Sequence, residues 1–261
     1  TIRALEISHQ HHQQHQPALV TQTFPTFEVD QDAVRALIKQ AKAAKRDLLL
    51  SEAVQALESY GIPTARGVAA ATVTDAQAAA ELMGYPVAIK VIAQQISHKS
   101  DVGGVQLNLR NGPALADAYE DMNCRIRRAH PNVKLDGVLV QPMITGGREL
   151  ILGGRQDPQF GPVVLVGLGG IFVEIFDEAS VRVAPISRDD AAEMIEELRG
   201  APVLKGARGH KRSDIEALIE ALLRVSQLLV DFPEIKELDI NPLRLFQDQG
   251  GCCALDARII L

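Results

Sequence analysis

The chain has 261 residues, 46% hydrophobic and 23% charged, ordinary globular values that exclude a disordered or fibrous polypeptide. Its formal net charge of -6 would repel a phosphate backbone, so no nucleic-acid partner is expected. No apolar run approaches the roughly 18 residues of a membrane span and no secretory signal is visible, so no membrane partner is expected.

Three cysteines, Cys124, Cys252 and Cys253, do not make a disulfide framework, and the adjacent pair cannot bridge without strain. A cytoplasmic location is the simplest expectation. Trp is absent and aromatic residues are 4%, so no base-stacking platform is expected.

The chain starts at Thr1 without an initiator Met, which reads as a piece of a longer polypeptide. His9, His11, His12 and His15 stand in one glutamine-rich run. Such tracts can bind metal, but no carboxylate or cysteine completes a site, and a solvated tail or linker is expected. Val34, Leu37, Ile38 and Ala41 predict a first helix. Ser51 is read as the N-cap of a second, which closes at Gly61 before Pro63. Ala65–Ala71 is predicted as a strand. Thr74 and Gln77 are read as a capping box for a helix ending at Gly84. Val87–Val91 is a buried strand carrying Lys90.

A loop with His98 and Gly103-Gly104 follows, then an alternating strand through Val105, Leu107 and Leu109. Pro113 suits the first turn of a helix reaching about Ala129. Val138–Val140, Leu150–Leu152 and Pro162–Val166 read as strands, the last running into Gly167-Leu168-Gly169-Gly170. Ser187 is placed as the cap of one helix, and Ser213 with Glu216 as the capping box of another. Two short strands, near 238–240 and 254–256, end the chain, and Pro242 is expected to stop the first. Short turns between strands imply antiparallel pairing and an α+β fold.

Three constellations carry chemistry. Lys90 is costly to bury unless it meets an anion, and the alternative is a lysine that snorkels to water. His98 can act as a phosphoryl acceptor or be a surface-loop histidine. Asp239, Asn241 and Asp256 are oxygen donors at strand ends, suited to a hard cation such as Mg²⁺ or to turn formation. Glu149 and Glu174 are further strand carboxylates. Gly169 and Gly170 allow backbone N–H groups to approach a phosphate, yet they fit neither a dinucleotide fingerprint nor a Walker A loop.

Taken in order, these segments resemble a known family. They are 84–90 (GYPVAIK), 98–105 (HKSDVGGV), 157–162 (DPQFGP), 167–174 (GLGGIFVE), 237–243 (ELDINPL) and 254–258 (ALDAR). From about residue 48 the chain resembles the ATP-grasp part of ADP-forming acyl-CoA synthetases, which belong to the succinyl-CoA synthetase superfamily. The resemblance implies two lobes of mixed or antiparallel sheet with the nucleotide between them. Residues 1–30 would be the tail of a preceding CoA-ligase-like region plus a linker. Residues 31–261 would be the ATP-grasp domain, with a smaller lobe at about 64–140, a larger one at about 141–261, and helices of 31–62 packing on them.

The resemblance also implies roles. His98 would relay a phosphoryl group and Asp239 would help receive a phosphohistidine loop. Lys90 would contact ATP or ADP phosphates, with Gln141 and Met143 in the 141–144 hinge at the adenine and Glu149, Gly169 and Gly170 near the nucleotide. Asn241 and Asp256 would hold Mg²⁺. The implied partners are CoA-binding and ligase-CoA domains, in the same polypeptide or in an alpha-type subunit, within an oligomeric enzyme. A regulatory synthetase-like region of a protein lysine acetyltransferase is the alternative, and retention of His98, Asn241 and Asp256 argues for an active site. A ligase without phosphohistidine is a third reading, disfavoured by the 98–101 loop.

Overall fold

The computed structural model describes residues 23–93, 96, 99, 102–170, 179–206 and 211–261. Two antiparallel sheets organise them. The smaller has the order β1-β4-β2-β3, from β1 (Val68–Ala70), β2 (Val87–Ile92), β3 (Val105–Leu109) and β4 (Gly137–Pro142). The larger runs β10-β8-β5-β6-β7, with β9 paired to β8. Its strands are β5 (Arg148–Asp157), β6 (Gly161–Leu168), β7 (Ala179–Val183), β8 (Glu237–Leu245), β9 (Cys252–Ala254) and β10 (Ala257–Ile260).

Each sheet buries one face under helices. Val87, Ile89 and Val91 of β2 and Val138 and Val140 of β4 pack with α3 (Val73–Met83) and α4 (Gly112–Ala129). Alternation then turns Ala88 and Lys90 of β2, and Leu139 and Gln141 of β4, to the opposite face. In the larger sheet Leu150, Leu152, Val164, Val166, Leu238, Ile240, Leu243 and Leu245 join one core with α5 (Arg188–Glu197) and α7 (Ile215–Asp231). The short α6 (Ala201–Leu204) follows α5. The helices α1 (Gln31–Ala43) and α2 (Leu50–Ser59) pack into this larger core through Val34, Leu37, Ile38, Ala53 and Leu57.

Several element ends differ from the sequence-based expectation. The first strand shrinks to three residues. Thr72, not Thr74, caps α3 by accepting from Asp75 N–H at 3.1 Å. Asp214, not Ser213, caps α7 by accepting from Ala217 N–H at 3.1 Å. Thr74 is already inside α3, whereas Ser213 sits one residue before the cap position, in a bridge to Gln247. Ser51 lies inside α2, whose first turn is closed by Glu52 accepting from Leu49 N–H at 2.8 Å. Arg46 holds Glu52 there with contacts of 2.6 and 2.8 Å.

Pro242 does not end its strand. Leu150 pairs Leu243 while Leu152 pairs Ile240, so three steps on β8 oppose two on β5. This bulge accommodates a residue without an N–H. It also shifts the alternation, so Asp239, Asn241 and Arg244 all leave the core face while Leu243 and Leu245 return to it.

Candidate nucleotide and metal site

The two sheets face each other across a cleft with a cavity of about 250 Å³. Ala88 and Lys90 of β2, Val105 and Leu107 of β3, and Gln141 of β4 line it from the smaller sheet. Pro142, Met143 and Ile144 line its edge, at the start of the connection from β4 to β5 that joins the two sheets. Glu149, Asn241, Pro242 and Arg244 line it from the larger sheet, with Leu255 and Asp256 from the turn between β9 and β10.

Lys90 is 6% exposed. Its Nζ donates to Leu255 O at 2.5 Å and lies 4.0 Å from Asp256 Oδ2. Burial holds its pKa below the usual lysine range, Asp256 opposes that shift, and Lys99 adds to it. A buried ammonium with one carbonyl and one shared carboxylate is poised for a further anion. Asp256 is also contacted by Lys99 Nζ, at 3.3 Å to Oδ1 and 3.4 Å to Oδ2. Gln141 is 2% exposed and is fixed by donating to Ala65 O at 2.5 Å. Met143 N–H donates to Pro86 O at 3.1 Å, tying the connection to the smaller sheet.

Glu149 and Arg244 are cross-strand partners, and Arg244 Nη2 donates to Glu149 Oε1 at 2.8 Å. Cross-strand ion pairs of this kind fix side-chain direction. Among the described residues, Arg244 Nε is buried without a hydrogen-bond partner.

Of the expected site residues, Lys90, Gln141, Met143, Glu149, Asn241 and Asp256 meet in this one cavity. Gly169 and Gly170 do not. They line a neighbouring cavity of about 260 Å³ with Gly147, Arg148, Leu168 and Val203, and Glu149 borders both. Asp239 also lies elsewhere, in a third groove of about 490 Å³ with Gly153, Arg155, Asp157, Phe160 and Val181. It stands two residues before Asn241 on β8, about 7 Å along the strand. His98, Glu174 and the His9–His15 run lie outside the described residues. Sequence reasoning missed Lys99 and Arg244.

Gly170 has φ +65°, and a Cβ there would lie 2.7 Å from Glu149 Oε2. Gly170→Ala is expected to cost about 1–2 kcal/mol in denaturant unfolding and to displace Glu149. Gly161→Ala supplies the control, because Gly161 also has positive φ (+78°) but, among the described residues other than its chain neighbours, no atom within 4 Å of the added Cβ. Equal losses in the two variants would show that the contact with Glu149 carries no weight.

Asn241 and Asp256 suit a hard divalent cation. Both are oxygen donors, they reach the cavity from separate segments, and the Asp256 carboxylate already attracts two ammonium groups. Mg²⁺ is usually held by one or two side chains plus phosphate oxygens, and this small donor set fits that use.

Residues 39–261 match the ATP-grasp domain family. The chain is 44% identical over 227 residues to the beta subunit of acetate–CoA ligase (ADP-forming) I of Pyrococcus furiosus, covering 87% of this chain and 97% of that protein. The chain belongs to the ATP-grasp family. Within it, this ATP-grasp chain belongs with the ADP-forming CoA ligases and corresponds to their nucleotide-binding part. It is 40% identical to acetate–CoA ligase (ADP-forming) I of Archaeoglobus fulgidus over 89% of this chain, but spans only 34% of that protein. The acetyl-coenzyme A synthetase 1 of Ca. Korarchaeum cryptofilum superposes with a TM-score of 0.74 at 40% identity, over 87% of this chain and 99% of that one. That structure holds coenzyme A and Mg-AMPPCP, with a phosphohistidine segment pointing towards the nucleotide-binding site. Among the described residues, no helix of the ATP-grasp chain is long and apolar enough to cross a membrane.

Proposed function

We propose that the cleft is the Mg²⁺-nucleotide site of an ADP-forming acyl-CoA synthetase. The reaction is acyl-CoA + ADP + phosphate ⇌ carboxylic acid + CoA + ATP. The observation that carries the proposal is the convergence of Lys90, Asn241 and Asp256 on one cavity.

In the ATP-forming direction, the acyl phosphate arises on CoA-binding domains outside this chain. Its phosphoryl group passes to a histidine there, a P–N bond forming as the P–O bond to the acyl oxygen breaks and the carboxylate leaves, and then to His98 of this chain by forming a new P–N bond as the earlier one breaks. ADP accepts the group last, as a P–O bond replaces the P–N bond to His98. Each hop needs only local alignment and charge neutralisation. Mg²⁺, held by Asn241 and Asp256, supplies charge neutralisation at the phosphates.

The chain's own side chains do the rest. Lys90 holds the phosphates, and its buried amine is worth more there than in water. Gln141 and Met143 border the adenine. Ala88, Val105, Leu107 and Leu255 give the cavity apolar walls, which keep water from the transferring group. Glu149 orients the sugar-phosphate end under the hold of Arg244. Gly169 and Gly170 serve by leaving room for Glu149. Asp239 receives the phosphohistidine loop of the partner at the groove further along β8.

The partner is an alpha-type subunit or a CoA-binding region of the same polypeptide, in a cytoplasmic, oligomeric enzyme. Residues 1–30 connect to that region, and residues 31–261 are the ATP-grasp domain. The acetyltransferase-linked reading has no support from the relatives above.

Turnover tests the proposal. With its CoA-binding part present, the chain should make ATP from acyl-CoA, ADP and phosphate, and His98→Ala should lose at least about 10³-fold in rate. Full turnover by His98→Ala would remove the relay role.

A further inference from the structure

Lys99 is the second ammonium on Asp256, and the relay does not use it. Its Nζ lies nearly symmetrically against the carboxylate, 3.3 Å from Oδ1 and 3.4 Å from Oδ2. This is no loose surface pair. The side chains of Lys99 and Asp256 are 14% and 21% exposed, whereas the Lys134–Asp136 pair is 89% and 34% exposed. Lys90 already stands 4.0 Å from the same carboxylate. Among the described residues, Lys90 and Lys99 therefore share this one carboxylate, and neither has a second acidic partner in the cleft.

The backbone of Lys99 is anchored while its head reaches across the cleft. Gly104 N–H donates to Lys99 O at 2.6 Å. A Cβ on Gly104 would lie 2.9 Å from that oxygen and 2.6 Å from Val91 Cγ1, so a glycine is required for this approach. From there the four-carbon stem spans from the smaller sheet's loop to Asp256, 157 residues further along the chain.

We infer that Lys99 holds the cation position on Asp256 in the nucleotide-free site and moves onto the phosphates when a Mg²⁺-nucleotide enters. The inference rests on the Mg²⁺-nucleotide reading of the cleft. A divalent cation needs the carboxylate oxygens that Lys99 occupies, and it binds them at about 2.0–2.1 Å. The same arrival brings phosphates beside the displaced ammonium. The flexible stem lets the head exchange partners with its backbone fixed. Lys99 is thus both a competitor of the bare metal and a ligand of the metal-bound nucleotide.

These two roles give opposite signs, which a merely structural ion pair would not. Mn²⁺ binding to the nucleotide-free protein, read by electron paramagnetic resonance, should tighten about five- to tenfold in Lys99→Met. Mg-ADP binding, read by calorimetry, should weaken about tenfold in the same variant. Lys99→Arg should return both values close to wild type, because it restores the charge. Thermal unfolding of both variants without ligand checks that the fold is kept, and Lys99→Gln replaces Lys99→Met if that variant unfolds. Mn²⁺ affinity that is unchanged or weakened, or Mg-ADP affinity that is unchanged, overturns the exchange. Failure of the wild type to bind Mg-ADP would instead overturn the reading of the cleft itself.

Discussion

Asp256→Ala is expected to weaken Mg-ADP binding at least about tenfold while leaving metal-free ADP binding intact or tighter. Asp256 lines the cavity opposite Lys90 and is the charged member of the Asn241–Asp256 donor pair. Removing it takes a negative ligand from the metal. It also frees Lys90 and Lys99, which now share its charge at 4.0 and 3.3 Å. Two unpaired ammonium groups would then face the bare diphosphate. Calorimetric titration with ADP, in Mg²⁺ and in chelator, reads both halves. An unchanged Mg²⁺ dependence would sink the assignment of Asp256 as a metal ligand.

Lys90→Met is expected to act on binding and not on folding. A hydrogen bond from a charged donor to a phosphate contributes about 1.5–3 kcal/mol, so affinity for ATP or ADP should fall about ten- to hundredfold. Without nucleotide, the melting temperature should hold or rise. Lys90 is buried at 6% exposure, burial disfavours its charged form, and methionine keeps most of the apolar stem. One cost remains, since Leu255 O loses its donor. A large fall in melting temperature with intact affinity would make Lys90 a structural residue.

Much of the site was legible because its chemistry is unusual for its surroundings. A lysine inside Val87–Val91 and oxygen donors at the ends of apolar strands stand out against hydrophobic neighbours, and the ordered segments carried the resemblance. Strand alternation was reliable where the strands are regular, so Lys90 and Gln141 face the cleft as their spacing requires. Arg244 was hidden by the bulge at Asn241-Pro242. Strict alternation from Asp239 and Asn241 would put Leu243 on the cleft face and Arg244 in the core, the reverse of what is found. Lys99 was hidden because its partner is distant in sequence. Gly169 and Gly170 read as a phosphate cradle, and what could not be read is that a Cβ at either would meet Glu149. The strand Ala179–Val183 passed unnoticed, since five residues with exposed valines and a half-buried arginine give little periodic signal.

A structure of the chain with Mg²⁺ and a non-hydrolysable ATP analogue tests the central claim most directly. The adenine is expected against 141–144 and the phosphates on Lys90. One metal ion is expected about 2.0–2.1 Å from oxygens of both Asn241 and Asp256. A nucleotide bound outside this cleft, or a metal ion that touches neither residue, would contradict it.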